Sequence, residues 1–272
     1  MCEERIKKTM VKICGLRRPE DALAADSLKP DLAGFILSPG FRRSIDPEQA
    51  RILRQILSPG IRTVGVFVDS PFEEILQAAD GGWIDMIQLH GKEDEAYIKK
   101  LTSMTDLPLI KAFRIHEKRD LEEAAESSAK WILLDSGTGT GKRFDWDLLD
   151  LFLQENEADT LFPGNHPWIL AGGLSAENVR RAIERFHPAA VDVSSKVETD
   201  GFKDPAKMAA FLAAVRMKEE SRKGTDEGGD RGDRGRFCVS FSPGNRRHRT
   251  VPFLLPSGMV RTGKKKRQEP VS

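Results

Sequence analysis

Two apolar runs in this chain end on a titratable side chain. Val11-Lys12-Ile13-Cys14-Gly15 reads as a short strand that stops on a thiol, and Trp131-Ile132-Leu133-Leu134-Asp135 as one that stops on a carboxylate. Side chains alternate across a strand, so Lys12 and Cys14 share one side of the first, and Trp131, Leu133 and Asp135 one side of the second. A thiolate and a carboxylic acid facing each other across one cavity form a base and acid pair able to move a proton between neighbouring carbons. Each residue also has a plainer reading. Free cysteine is among the most buried residue types, and an aspartate after a strand can instead serve as a helix N-cap or loop anchor, the lesser reading here.

Other groups follow apolar runs in the same way. Ala171-Gly172-Gly173-Leu174-Ser175 and Val191-Asp192-Val193-Ser194-Ser195 are small-residue stretches where backbone N–H groups can close around an anion, which favours a phosphorylated substrate. The alternative for Gly172-Gly173 is a tight turn. Ser38-Pro39-Gly40-Phe41-Arg42-Arg43-Ser44 reads as a loop, and a guanidinium such as that of Arg43 suits bidentate binding of a carboxylate. At least one of Arg42 and Arg43 must be a solvated loop charge. Gln88-Leu89-His90-Gly91 ends another run, and His90 is read as a positioning group, because the proton transfers already have two candidates.

What must hold these groups together is an alternation of strands and helices. Strands are expected at 11–15, 32–37, 61–68, 84–89, 107–112, 131–135, 168–171 and 189–193. Helices are expected at 19–28, from Pro47 after an Asp46 N-cap, and at 71–79, 94–101, 117–127, from Asp145, 175–186 and 205–217. Eight such units with short links favour a parallel sheet with right-handed crossovers. The count of eight matches a closed (β/α)₈ TIM barrel of the α/β class, whereas an open doubly wound sheet would show a G-x-G-x-x-G turn after its first strand, and none follows Ile13. In a barrel the carboxyl ends of the strands form the functional face. That face would gather Cys14, Arg43, Gln88, His90, Asp135, Gly172, Gly173, Asp192, Ser194 and Ser195.

Composition bounds the setting. Three cysteines, Cys2, Cys14 and Cys238, are too scattered for a disulfide framework or a CxxC metal site, which points to a reducing cytoplasm. The amino terminus has no apolar run behind its charges, and no stretch is long enough to span a membrane. The formal net charge of +1 hides a split. From Ser221 onward 13 Lys and Arg stand against 5 Asp and Glu, a surplus of +8, while the preceding residues carry −7. We therefore expect an extension at 1–9, one barrel domain at 10–220, and a disordered, low-complexity basic tail at 221–272. The tail's lysine run could serve nucleic acid or an acidic partner. A dispensable extension is the preferred reading.

Taken together, Lys12-Ile13-Cys14-Gly15, Arg43-Ser44, Val64-Gly65-Val66-Phe67-Val68, Gln88-Leu89-His90-Gly91, Leu133-Leu134-Asp135-Ser136, Gly139-Thr140-Gly141-Lys142 with Phe144-Asp145-Trp146, Leu170-Ala171-Gly172-Gly173-Leu174 and Val191-Asp192-Val193-Ser194-Ser195 resemble the phosphoribosylanthranilate isomerases of tryptophan biosynthesis. The resemblance spans about 11–217. It implies an Amadori rearrangement of N-(5-phosphoribosyl)anthranilate without cofactor or metal. Monomer and homodimer are both open at this level, since such barrels look alike in sequence. By the same resemblance Asp135 is the general acid that opens the ribose ring and Cys14 the general base at C2. Arg43 holds the anthranilate carboxylate, and Gly173, Ser194 and Ser195 hold the phosphate. Lys12 is expected to shift the thiol toward thiolate, or else to sit deeper and pair with a carboxylate such as Asp192. Lys196 stands where the family usually has glycine, which questions the geometry of that loop. The rival readings are the related histidine-pathway isomerase, whose chemistry resembles a pair of aspartates, and a non-catalytic barrel whose tail binds nucleic acid.

Overall fold

The structure, a computed structural model, describes residues 8–135, 146–155, 162 and 166–223. The expected extension up to residue 7, the loop 136–145 with its Gly139-Thr140-Gly141-Lys142 motif, the helix start at Asp145 and the tail from 224 lie outside the described residues. All described residues belong to one compact unit.

Eight strands form one closed barrel in sequence order: β1 (Met10–Cys14), β2 (Leu32–Ile36), β3 (Arg62–Phe67), β4 (Met86–Leu89), β5 (Leu109–Arg114), β6 (Trp131–Asp135), β7 (Trp168–Leu170) and β8 (Ala190–Val193). All neighbouring pairs are parallel, and β8 returns to β1 with Met10 opposite Ala190 and Lys12 opposite Asp192. The intervening helices are α1 (Pro19–Leu28), α2 (Pro47–Ile56), α3 (Phe72–Asp80), α4 (Glu95–Met104), α5 (Lys118–Ala125), α6 (Trp146–Glu155), α7 (Val179–Phe186) and α8 (Pro205–Lys223). Their starts follow local chemistry. The Asp46 side chain accepts from Gln49 N at 2.7 Å ahead of Pro47, and Asp94 accepts from Tyr97 N at 2.8 Å.

Strand parity divides the apolar side chains between two cores. Val11, Ile13, Ala33, Phe35 and Leu134 point outward and pack with helix residues such as Ala22, Ala25 and Leu53. Leu32, Val64, Met86, Ile110, Trp131, Leu133, Ile169 and Ala190 point inward and fill the barrel. The inward side of β1 continues to Lys12 and Cys14, that of β6 to Asp135, and that of β8 to Asp192. The packed interior thus gives way to titratable groups at the carboxyl ends.

Several boundaries differ from the sequence reading. β4 begins at Met86, because the Asp85 side chain accepts from Thr63 N at 2.9 Å in place of a backbone carbonyl and Trp83 O accepts from the Thr63 hydroxyl. β5 starts later and runs on to Arg114, whose register partner is Asp135. α7 begins at Val179, since Ser175 to Asn178 form a turn in which the Asn178 amide accepts from Ser175 N and donates to Gly173 O. α8 extends past Met217 to Lys223. A small hairpin, β9 (Glu198–Thr199) and β10 (Phe202–Lys203), was not anticipated. Its central residues Asp200 and Gly201 have φ of 50° and 80°, the positive pair that a type I′ turn requires and that Asp-Gly supplies readily.

Candidate active site

Cys14 closes β1 and is 7% exposed, and the completely buried Lys12 lies one inward position below it. Lys12 Nζ is 3.2 Å from both carboxylate oxygens of Asp192 and is also hydrogen-bonded to Cys14. Of the two expectations for Lys12, the deeper position paired with Asp192 is the one observed. Room for the cluster comes from Gly34, which faces Cys14 across the β1–β2 pair. A Cβ there would stand 2.9 Å from Cys14 Sγ and 3.3 Å from Lys12 Nζ.

One cation serves two acids in this cluster. Burial pushes the Cys14 thiol up, Lys12 pulls it down, and Asp192 pushes it up again. Burial likewise raises the Asp192 carboxyl against the pull of Lys12. Burial opposes the charge of Lys12 itself, yet Asp192 and Cys14 together outweigh it and raise its pKa. Lys12 stays protonated. In the resting arrangement its charge is balanced by Asp192, and Cys14 is held as a thiol beside an ammonium that favours its ionised form.

A second group stands at the ends of β4 and β6. The buried Gln88 places its Nε2 2.9 Å from His90 Nδ1, and His90 Nε2 lies 3.4 Å from Asp135 Oδ2. An amide nitrogen can only donate, so Nδ1 accepts and the ring proton sits on Nε2, aimed at Asp135. Gln88 Oε1 has no hydrogen-bond partner among the described residues. The His90-Gly91 corner is fixed from behind: Glu93 accepts from Gly91 N at 3.0 Å and Asp69 N at 2.8 Å, and Lys111 binds Glu93 at 2.7 Å and Gly91 O at 2.8 Å. Asp192 feels the charge of Asp135 as well as that of Lys12, so the two groups face one cavity.

A third group joins the loops after β2 and β8. Arg43 donates through Nε and Nη2 to the two oxygens of Glu198, at 2.6 and 2.9 Å. Arg42 Nη2 and Lys203 Nζ reach the same carboxylate at 2.7 and 2.8 Å. Burial works to raise the Glu198 pKa, but Arg43 and Lys203 hold it down to about 2. Lys203 also donates to Ser194 O at 3.0 Å, and the Ser194 hydroxyl donates to Cys14 O at 3.0 Å. The stem of Arg43 lies against Gly15, where φ is 81° and a Cβ would come within 2.6 Å of Arg43 Cδ. Glycine is required there on both counts.

The structure thus brings Cys14, Arg43, Asp192 and Ser194 into one connected set and Gln88, His90 and Asp135 into another. Gly172 and Gly173 have φ of 85° and 68° and form the tight turn, tied by Asn178, after β7. Ser195 opens a single 3-10 turn, Ser195–Val197, that also carries Lys196. Lys196 is exposed and its φ is not positive, so the turn accepts a lysine without strain. Sequence reasoning missed Glu198, Lys203 and Gly34. The Asp200-Gly201 pair was a legible signal for the hairpin, whereas nothing local marks Glu198 as the partner of Arg43. Among the described residues no group of three or more His, Cys, Asp or Glu side chains is placed to hold a metal ion. None of their helices is long and apolar enough to cross a membrane.

Closed topology and a titratable carboxyl-end face define a (β/α)₈-barrel enzyme. Comparison with known proteins narrows the class. The family profile of N-(5'-phosphoribosyl)anthranilate (PRA) isomerase matches residues 11–214, so the chain belongs to the N-(5'-phosphoribosyl)anthranilate isomerase family. The isomerase of Thermoanaerobacter sp. (strain X514) is 44% identical over 211 residues, covering 76% of this chain and 97% of that protein. A crystal structure of phosphoribosyl anthranilate isomerase in complex with reduced 1-(o-carboxyphenylamino)-1-deoxyribulose 5-phosphate is 36% identical with a TM-score of 0.65, covering 77% of this chain and 99% of its own. The dimeric enzyme of Thermotoga maritima, solved as generated monomers, gives the same identity, TM-score and coverage.

Proposed function

We propose that this chain catalyses the reaction its family is named for. N-(5'-phosphoribosyl)anthranilate is converted to 1-(2-carboxyphenylamino)-1-deoxyribulose 5-phosphate by an Amadori rearrangement in tryptophan biosynthesis. The carrying observation is the placement of Cys14 and Asp135 on the inward sides of β1 and β6, at the carboxyl-end face of one closed barrel. Asp135, protonated, delivers its proton to the ribose ring oxygen, and the ring opens to a Schiff base. Cys14 thiolate then removes the proton from C2, and the resulting enolamine tautomerises to the ketone. One proton is given and one taken, so the reaction is a net isomerisation.

The surrounding side chains fit supporting roles. Lys12 favours the thiolate that must form at Cys14. His90, oriented by Gln88, presents Nε2–H to Asp135 and to the opening ring. Arg43 takes the anthranilate carboxylate, while Gly172, Gly173, Ser194 and Ser195 surround the phosphate, with Asp192 completing the cluster beneath. The free thiol at Cys14 suits a reducing cytoplasm. The Thermotoga maritima relative is dimeric. Whether this chain is a monomer or a homodimer is read by sedimentation.

The test follows loss of substrate fluorescence with N-(5'-phosphoribosyl)anthranilate generated in place from anthranilate. Wild type is expected to turn over, and Cys14→Ala and Asp135→Asn to lose at least about a hundredfold in kcat, the scale of general acid or base catalysis. A folded wild-type protein without turnover would overturn the assignment. Near-normal turnover in either variant would remove that residue from the mechanism.

A further inference from the structure

Resting on the reading of Arg43 as the carboxylate-binding residue, we propose that Glu198 is a positioning residue that aims the Arg43 guanidinium at the substrate carboxylate and so sets the preference for a carboxylated substrate. A guanidinium presents two forks, one through Nε and Nη2 and one through Nη1 and Nη2. Glu198 occupies the Nε/Nη2 fork, bidentately and at short distance. The Nη1/Nη2 end, which can bind a second carboxylate in the same geometry, is left for the ligand.

The carboxylate of Glu198 is saturated. Its Oε1 accepts from Arg43 and Lys203, and its Oε2 from Arg42 and Arg43, so four N–H donors meet about four lone-pair sites. With its side chain only 5% exposed, it has neither the spare acceptor capacity nor the access to act on substrate itself. It acts through its partners. Three cations around one anion leave a net positive charge where an anionic group is to be bound. Arg43 comes from a loop and would otherwise sample many rotamers, whose freedom is lost when the side chain is ordered by ligand. Gly15 lets its stem lie down, and Glu198 fixes its head. Through Lys203 the same carboxylate reaches Ser194, which donates to the backbone of Cys14.

Equilibrium binding separates this role from a purely structural one. Two probes are titrated by calorimetry: reduced 1-(o-carboxyphenylamino)-1-deoxyribulose 5-phosphate and the same compound without its carboxyl group. A charge-assisted bidentate pair predicts that wild type prefers the carboxylated probe by about 10- to 100-fold. Both Arg43→Met and Glu198→Gln should reduce that preference to a few-fold, and the double variant should lose no more than either alone. In turnover, Glu198→Gln should raise KM more than it lowers kcat. Should glutamine at 198 fail to fold, Glu198→Asp keeps the charge and is expected to retain part of the preference. If Glu198→Gln weakens both probes equally, so that the preference survives while Arg43→Met abolishes it, the proposal is overturned and the reading of Arg43 stands. If Arg43→Met leaves the preference intact, the reading of Arg43 fails and takes the proposal with it.

Discussion

Replacing Lys12 by methionine removes a charge from beneath Cys14 while nearly keeping the volume of the side chain. Lys12 Nζ is 3.2 Å from both oxygens of Asp192 and hydrogen-bonded to Cys14, and all of this lies inside the barrel. Two unit charges about 4 Å apart at an effective dielectric of about 20 interact by about 4 kcal/mol, equivalent to about three pH units in a titration. The full amount is not expected. Asp192, deprived of its cation, takes up a proton, and its repulsion of the thiolate disappears, which returns part of the loss and leaves a net upward move. The acidic limb of kcat/KM should therefore move to higher pH in Lys12→Met, and on that limb each unit lowers the rate about tenfold. Turnover followed by substrate fluorescence between pH 6 and 10 reads the limb. The pH dependence of alkylation, in a background with Cys2→Ser and Cys238→Ser, reads the thiol without turnover. A limb and an alkylation profile that stay where they are in wild type, or that move to lower pH, would refute the argument that Lys12 tunes Cys14.

Two other expectations bear on stability and on the space around the site. In Gly34→Ala the new methyl group meets Cys14 Sγ at 2.9 Å and Cys14 Cα at 3.1 Å. The overpacking should cost about 1–3 kcal/mol, lower the melting midpoint by several degrees, and slow turnover by displacing the thiol from Lys12. Unchanged melting and turnover would mean that the strand pair yields freely. For Glu198, a folded pKa of about 2 lies below its ordinary 4.5, so its contribution is present above pH 4.5 and is lost as pH falls toward 2. About 2 kcal/mol should already be gone at pH 3. Urea unfolding of wild type between pH 6 and 3 should therefore fall more steeply than that of Glu198→Gln, and parallel curves would contradict the assignment of the shift to the Arg43 and Lys203 contacts.

The barrel was legible because its cause is local and repeated. Apolar runs ending on turn residues, proline at the first turn of α1 and α2, and eight returns of the pattern define alternating elements without knowledge of any long-range contact. Parity along β1 and β6 then placed Cys14 and Asp135 inward. Element ends were less legible, since they are settled by neighbours. β5 runs to Arg114 because β6 is there to pair with it, and α7 starts late because Asn178 turns back to Gly173. The hairpin at 198–203 lay within reach of the sequence, because Asp200-Gly201 is the dipeptide that tolerates two positive φ angles in succession.

The sequence by itself determined the number and order of the barrel's strands and helices, the inward side of β1 and β6 and the residue types at the carboxyl ends. These follow from periodicities of two and 3.6 and from the conformational limits of proline and glycine. Only the closed structure decided which of those residues meet. Lys12 finds Asp192 across 180 positions, because closure sets β8 beside β1 in one particular register. Arg43 finds Glu198 across 155 positions, because a hairpin after β8 leans over the loop after β2. Gly34 matters for the space it leaves to Cys14 and Lys12, and space is a property of neighbours. A charge in the sequence is only a candidate, and its partner, burial and effect on a pKa are fixed when strands distant in the chain become adjacent and exclude water from between them.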